Sequence, residues 1–257
     1  MKMLSIRSLR RPEPLAFPGL RAVAPAVAAL ALFAMPAIGD QPDPRDTSLR
    51  PMERLEALLE RVRTEQKAIE TLESRFVQRK ESVFLSAPAV SSGTFSYAAP
   101  DSVRWEYERP DPISLLVTGD EMVTWFHDLE QVERMHVGRH SQRVLEYLGA
   151  GSSIDSLLQY FTVSLEVPAD PAEPYRLALE PRFDRVAKRL AGMSVWIDSQ
   201  LYLPVRLRLA EGDGDVTEYE FSDFAVNRGL PDDRFVLDLP PNATVRTISA
   251  EQQSGAR

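Results

Sequence analysis

The chain has 257 residues, no cysteine, three histidines, and 38 acidic side chains against 30 basic ones, for a net charge of −8. The lack of cysteine excludes thiol catalysis, a thiolate zinc site and a lipid attached through an N-terminal cysteine. The acidic balance argues against nucleic acid, whose phosphates call for clustered lysine and arginine, and against constitutive adsorption to anionic headgroups.

The first segment is a leader. Lys2, Arg7, Arg10, Arg11 and Arg21 stand against the single acid Glu13, and an Ala/Leu/Val run follows from Ala22 to Ala34. Small residues at Ala37 and Gly39 precede Asp40, which is the layout of a secretory signal peptide. Pro25 interrupts the run, which falls short of the ~20 residues needed to span a bilayer. Residues 1–39 therefore read as a cleaved export signal ending at Ala37-Ile38-Gly39. Its loss removes five basic residues and one acid, leaving a net charge near −12. The remaining chain is long enough to bury a core without disulfides.

Residues 40–50 (DQPDPRDTSLR) are polar and proline-containing and read as a flexible arm. From Pro51 to about Gln78, apolar residues fall at three- and four-residue steps: Leu55, Leu58, Leu59, Val62, Ile69, Leu72 and Phe76. That spacing predicts one long amphipathic helix whose stripe is buried on the following sheet.

Residues Ser91 to Val137 predict four consecutive antiparallel strands. One face carries Phe95, Tyr97, Val103, Trp105 and Tyr107; the other carries Thr94, Ser96, Arg104, Glu106 and Glu108. Such a sheet has one apolar and one wet side. Between Ser141 and Phe161 the pattern becomes helical. Val144, Leu145 and Leu148 precede Gly149-Ala150-Gly151, and Ile154, Leu157, Leu158 and Phe161 follow it. Two short apolar helices joined at glycines, with Ser152-Ser153 as an N-cap, suit a cover over one sheet face. Strands return at 162–167, 175–180, 193–198, 204–210, 217–224 and 235–239, with Glu211-Gly212-Asp213-Gly214-Asp215 as a tight hairpin turn. About ten or eleven short strands with a leading helix and a helical insert make an antiparallel α+β fold. Residues 51–247 form its single domain, and residues 248–257 a flexible tail.

Little in the chain nominates chemistry. His136 and His140 are four apart, but Gly138 and the preceding strand argue against a shared helix face, and a third ligand is missing. The Glu211–Asp215 turn lacks the remaining ligands of a calcium loop. Ser152-Ser153 sits in no nucleophile-elbow context. The reading is a binding protein, not an enzyme, with no metal and no cofactor.

The order of parts resembles the LolA family of periplasmic outer-membrane lipoprotein carriers. The matching features are Phe76-x-Gln78, Gly93-x-Phe95, Pro100 five residues before Trp105, Pro110, Leu116-Val117-x-Gly119 and Trp125-Phe126. The similarity continues through the Leu-rich insert, Leu177-x-x-x-Pro181 and Phe235 to Pro240. The resemblance implies an incomplete antiparallel β-barrel closed by helices, with an interior that accepts acyl chains. It also implies a periplasmic, monomeric shuttle with three kinds of partner: acylated lipoproteins, an inner-membrane ABC releasing complex, and an outer-membrane acceptor. The alternative within the fold is an envelope module that senses lipid or lipoprotein and regulates a partner. The expected lipid-binding residues are Phe95, Tyr97, Val103, Trp105, Tyr107, Leu115, Val117 and Trp125, with lid residues Leu145, Leu148, Leu157, Leu158 and Phe161. Family members hold the lid with an arginine just before the first strand's proline. Here that position is Ala99, so the guanidinium donors of that latch are missing.

Overall fold

The computed structural model describes residues 41–136 and 158–248. The leader, most of the lid insert and the tail lie outside that range. Residues 41–50 are irregular yet tied down. Arg45 donates to the carbonyls of Pro168, Asp170, Pro171 and Glu173 and lies over the Tyr175 ring, and Pro44 is fully buried.

Helix α1 (Pro51–Lys67) opens with proline at its first position, where a missing N–H costs nothing, and Glu53 accepts from the Arg50 N–H at 2.8 Å. It stops eleven residues short of the sequence expectation, because residues 71–81 are strand β1. Leu72 and Phe76 are four apart, an even number, so their spacing fits a strand face as well as a helix face. The junction is set from far along the chain. Asn227 accepts from the N–H groups of Glu70 and Thr71 and donates to the Ala68 carbonyl, so it satisfies the backbone where the helix ends.

Eleven more strands follow: β2 (Ala89–Ala98), β3 (Ser102–Arg109), β4 (Ile113–Thr118), β5 (Glu121–Phe126), β6 (Gln131–His136), β7 (Phe161–Glu166), β8 (Tyr175–Pro181), β9 (Leu190–Ile197), β10 (Pro204–Glu211), β11 (Val216–Val226) and β12 (Thr244–Ile248). A single turn, α2 (Asp184–Ala187), links β8 to β9. The twelve strands form one open sheet in the order β12-β6-β5-β4-β3-β2-β1-β11-β10-β9-β8-β7. All pairs are antiparallel except β12 with β6. The Ser91–Val137 stretch thus contributes five strands where four are expected, and Glu211–Asp215 turns β10 into β11.

Residues 235–239 do not form the expected strand. Pro231, Pro240 and Pro241 supply no N–H to a ladder. The carbonyls of Arg234 and Val236 instead accept from the Arg104 guanidinium, and Arg234 pairs with Glu73 at 2.9 Å. The segment therefore runs across the polar face of β1–β4 as a strap. The side expected to be wet is partly dry: Ser96, Ser114, Leu116, Val123 and Val132 are all buried there.

On the other face lie two apolar clusters. At the β7–β9 end, Leu55, Leu58, Leu59 and Val62 of α1 pack on Phe161, Tyr175, Leu177, Leu179 and Ile197. Around β1–β4 and β11, Phe76, Phe95, Val103, Trp105 and Val117 are buried among themselves. Register places both clusters on one face, through the rows Phe76–Phe221, Tyr219–Leu207, Leu207–Val195 and Val195–Leu177.

Gly93 makes the second cluster possible. A Cβ there would lie 1.8 Å from the Glu106 carbonyl oxygen, at the irregularity where β2 meets β3. Gly93→Ala must push two strands apart and should lower the urea-unfolding free energy by about 2 kcal/mol or more. A loss under about 0.5 kcal/mol, the scale of a neutral surface change, would show that the approach is not needed.

Candidate functional site

The second cluster is an aromatic floor. Phe76 from β1 meets Trp105 and Tyr107 from β3 at ring-centre distances of 4.7 and 5.0 Å, and Phe95 from β2 meets Trp105 at 4.9 Å. Tyr219 and Phe221 of β11 reach Trp105 at 5.6 and 5.9 Å. Three strand spacings of ~4.8 Å would separate β3 from β11 by about 14 Å in a flat sheet. Rings that far apart touch only if the sheet curls toward them, so this face is concave.

Most of the residues expected to bind lipid gather here. Phe95, Val103, Trp105 and Val117 are buried in the floor, and Tyr97, Tyr107 and Leu115 pack at its margin. Trp125 does not join them. It pairs across β4 with Ser114, which pairs with Glu106, while Leu115 and Trp105 share the next row on the opposite face. Trp125 thus stands on the strap side, stacked on His127 at 3.7 Å. Leu158 and Phe161 pack with the α1 cluster and not on the floor, and Phe161 begins strand β7 where a lid helix is expected. Leu145, Leu148 and Leu157 lie outside the described residues.

Phe76, Tyr219 and Phe221 complete the floor, although sequence reasoning assigns them no firm place in it. Tyr219 and Phe221 alternate with Glu218 and Glu220, a visible apolar-in, charge-out signal. What the alternation does not reveal is that β11 pairs with β1.

The floor carries no charge. Tyr107 donates to the Tyr219 hydroxyl. Burial first, and then that neighbour, push the Tyr107 phenol far above its ordinary value of 10.0. Burial also raises Tyr219, partly offset by the hydrogen bond it accepts. Trp105 Nε1 and Ser74 Oγ are buried without a hydrogen-bond partner among the described residues. Both lie on this face, flanking Phe95 in register.

The strap face offers the nearest approach to a catalytic constellation among the described residues. Ser114 Oγ lies 2.8 Å from both Glu106 Oε1 and His127 Nε2. With Glu106 as a carboxylate the hydroxyl donates to Oε1, and its contact with Nε2 takes its direction from the His127 tautomer. Ser114 is fully buried, in the row under Trp125 and on the face away from the aromatic floor. An open groove of about 790 Å³ also lies on this convex side, where Arg176 and Arg206 flank the Trp196 ring beside Val77 and Glu220. Both arginines already have carboxylate partners, Glu166 and Glu218. Ala99, in place of the expected latch arginine, is exposed and uses only its N–H, which bonds the Glu70 carbonyl at 2.8 Å.

Comparison with known proteins agrees with this geometry. The family described as outer membrane lipoprotein carrier protein LolA matches residues 67–238. An outer-membrane lipoprotein carrier protein of Alkalilimnicola ehrlichii is 26% identical over 186 residues, 69% of this chain and 78% of its own length. One from Nitrosospira multiformis is 28% identical over 158 residues, 60% of this chain and 72% of its own length. Among solved structures, an uncharacterized conserved protein from Thermus thermophilus superposes with a TM-score of 0.51 at 14% identity. The match covers 76% of this chain and 99% of that one, which is a likeness of fold.

The phenol pair gives a pH signature. Its folded-state values are raised, so the fold favours the neutral form; stability is level below about pH 10 and falls above it, where unfolded tyrosines ionise. Unfolding free energies taken from about pH 8 to about pH 11.5 should show that decline. The double variant Tyr107→Phe/Tyr219→Phe should make the decline shallower. An unchanged slope would mean that the two hydroxyls titrate freely in the folded protein.

Proposed function

Because the chain belongs to the family of the outer membrane lipoprotein carrier protein LolA, we propose that it lodges the acyl chains of lipoproteins on the aromatic floor and carries them through the periplasm. Loading takes place at an inner-membrane ABC releasing complex, and delivery at an outer-membrane acceptor. One observation carries this reading: an uncharged aromatic surface lies on the concave side of a sheet whose edge strands, β12 and β7, do not pair with each other.

The physics favours such a cargo. An acyl chain of about 15 methylenes is worth roughly 12 kcal/mol to remove from water at ~0.8 kcal/mol per CH₂. No soluble route exists for it unless a protein supplies a matching surface. The floor is filled by its own rings, with Phe76 1% and Val117 0% exposed. Loading must therefore spread Trp105, Tyr107, Tyr219 and Phe221 apart, and a closed sheet would resist that movement where an open one accommodates it. The unpartnered Trp105 Nε1–H then becomes useful. Leaving a buried donor unmade is costly, and an acyl ester carbonyl supplies the missing acceptor.

Binding of a fluorescent long-chain fatty acid to the purified protein, and recovery of acylated proteins with it from gently broken envelopes, test the reading. Trp105→Phe keeps an aromatic ring, though a smaller one, and removes the donor; it should weaken binding by up to about tenfold. Trp105→Glu places a charge on the floor and should abolish binding. Trp125→Ala, on the opposite face, should leave it unchanged. If the unaltered protein binds no acyl chain, or if Trp125→Ala is as damaging as Trp105→Glu, the floor is only a core.

A further inference from the structure

The connection between β1 and β2 is unlike the rest of the surface. Val83 is 76% exposed, Phe84 90% and Leu85 45%, three consecutive large apolar residues at the apex of a hairpin. From Val83 to Val90 the sequence VFLSAPAV carries no charge and one hydroxyl. Scattered exposed apolar residues are ordinary, but a contiguous apolar apex is not.

The apex is held outward. Asp215, in the β10–β11 turn, lies 3.4 Å from Lys80 Nζ. Its carboxyl is kept below the usual range first by the Ser82 hydroxyl, then by Lys80 and by the Val83 N–H. These contacts fasten the base of the hairpin tip to the neighbouring turn. Within the tip, the Leu85 N–H bonds the Ser82 carbonyl at 3.1 Å and the Phe84 N–H faces Ser82 Oγ at 3.3 Å. Two donors that would suffer outside water are thereby already engaged, and Pro88 has none to offer.

We infer that this tip is a membrane-contact finger, which inserts Val83, Phe84 and Leu85 into the interfacial region of a lipid bilayer. The inference builds on the reading that the cargo is membrane-borne. A convex apolar point needs a soft apolar medium, and a bilayer interface supplies one without a preformed socket. The charge balance requires that such a contact be apolar. With its leader removed the chain is strongly acidic, so attraction to anionic headgroups would not bring it to a bilayer, whereas an uncharged apex makes contact without electrostatic help. The geometry suits hand-over. β1 is one continuous strand from Phe76 on the floor to Glu81 at the base of the finger, about 17 Å at ~3.3 Å per residue, so a seated tip holds the floor close to the membrane surface.

The test uses the full mature chain and vesicles of phosphatidylethanolamine and phosphatidylglycerol. The protein should co-sediment with them, and raising salt to about 0.5 M should change partitioning by less than about twofold, because the contact is apolar. Phe84→Asp should lower partitioning by about tenfold or more. In Phe84→Trp, emission should shift to the blue and be quenched by brominated acyl chains. Fatty-acid binding in solution should be the same in Phe84→Asp as in the unaltered protein. The inference is overturned if the unaltered protein does not co-sediment, if Phe84→Asp co-sediments equally well, or if salt abolishes the association. Sedimentation that depends on Phe84 but is accompanied by no fatty-acid binding would uphold the finger and sink the carrier reading.

Discussion

The rest of the structure depends on Trp105 touching rings from β11, three strands away in the sheet. Aromatic contacts at 5.6 and 5.9 Å across that separation require curvature, and curvature requires that nothing hold the strands flat. Gly93 meets the second condition by letting the β2 backbone settle against the Glu106 carbonyl, where any side chain would collide. Once the sheet curls, its two faces have different fates. The concave side becomes a small, uncharged, ring-lined surface. The convex side must carry the charges, and it organises them into paired rows such as Arg75 with Glu108 and Arg206 with Glu218.

The two ends of the concave face are treated differently. At the β7–β9 end, α1 covers the sheet with Leu58 and Val62 almost wholly removed from water, as an amphipathic helix on a sheet is expected to do. At the β1–β4 end no described helix plays that part, and the aromatic side chains shield one another. A floor whose described side chains cover one another can be opened by rotating them. That difference makes the second end the natural place for a guest, and it also explains how the protein keeps an apolar surface from becoming an aggregation site while empty. On the convex side the strap of residues 227–243 backs the same strands, with Arg104 joining its carbonyls to Glu106. The floor is thus stiffened from behind.

Much of the floor is legible in the chain because strand alternation is a local signal. Phe95, Tyr97, Val103, Trp105 and Tyr107 can be set on one face by parity alone. Trp125 shows where parity stops helping. Its place depends on the phase of β5 relative to β4, and that phase is fixed by the turn at Gly119, not by the composition of either strand. Phe76 reads as helical because a four-residue spacing satisfies both periods. The contact that decides against the helix comes from Asn227, 157 residues beyond Glu70.

The sequence alone determined the class of the protein: an acidic, cysteine-free α+β chain with a leader pattern, alternating strands and an apolar face. Those properties follow from residue type and short-range spacing, which a linear reading contains. Only the tertiary structure decided that β1 pairs with β11, that the concave face joins Phe76 and Trp105 to Tyr219 and Phe221, and that the supposedly wet face lies under a strap. It also decided that Phe84 is held out at the end of a braced hairpin. Each of these rests on a pairing between distant segments, and such pairings are chosen by the free energy of the whole packed sheet, which no local pattern encodes.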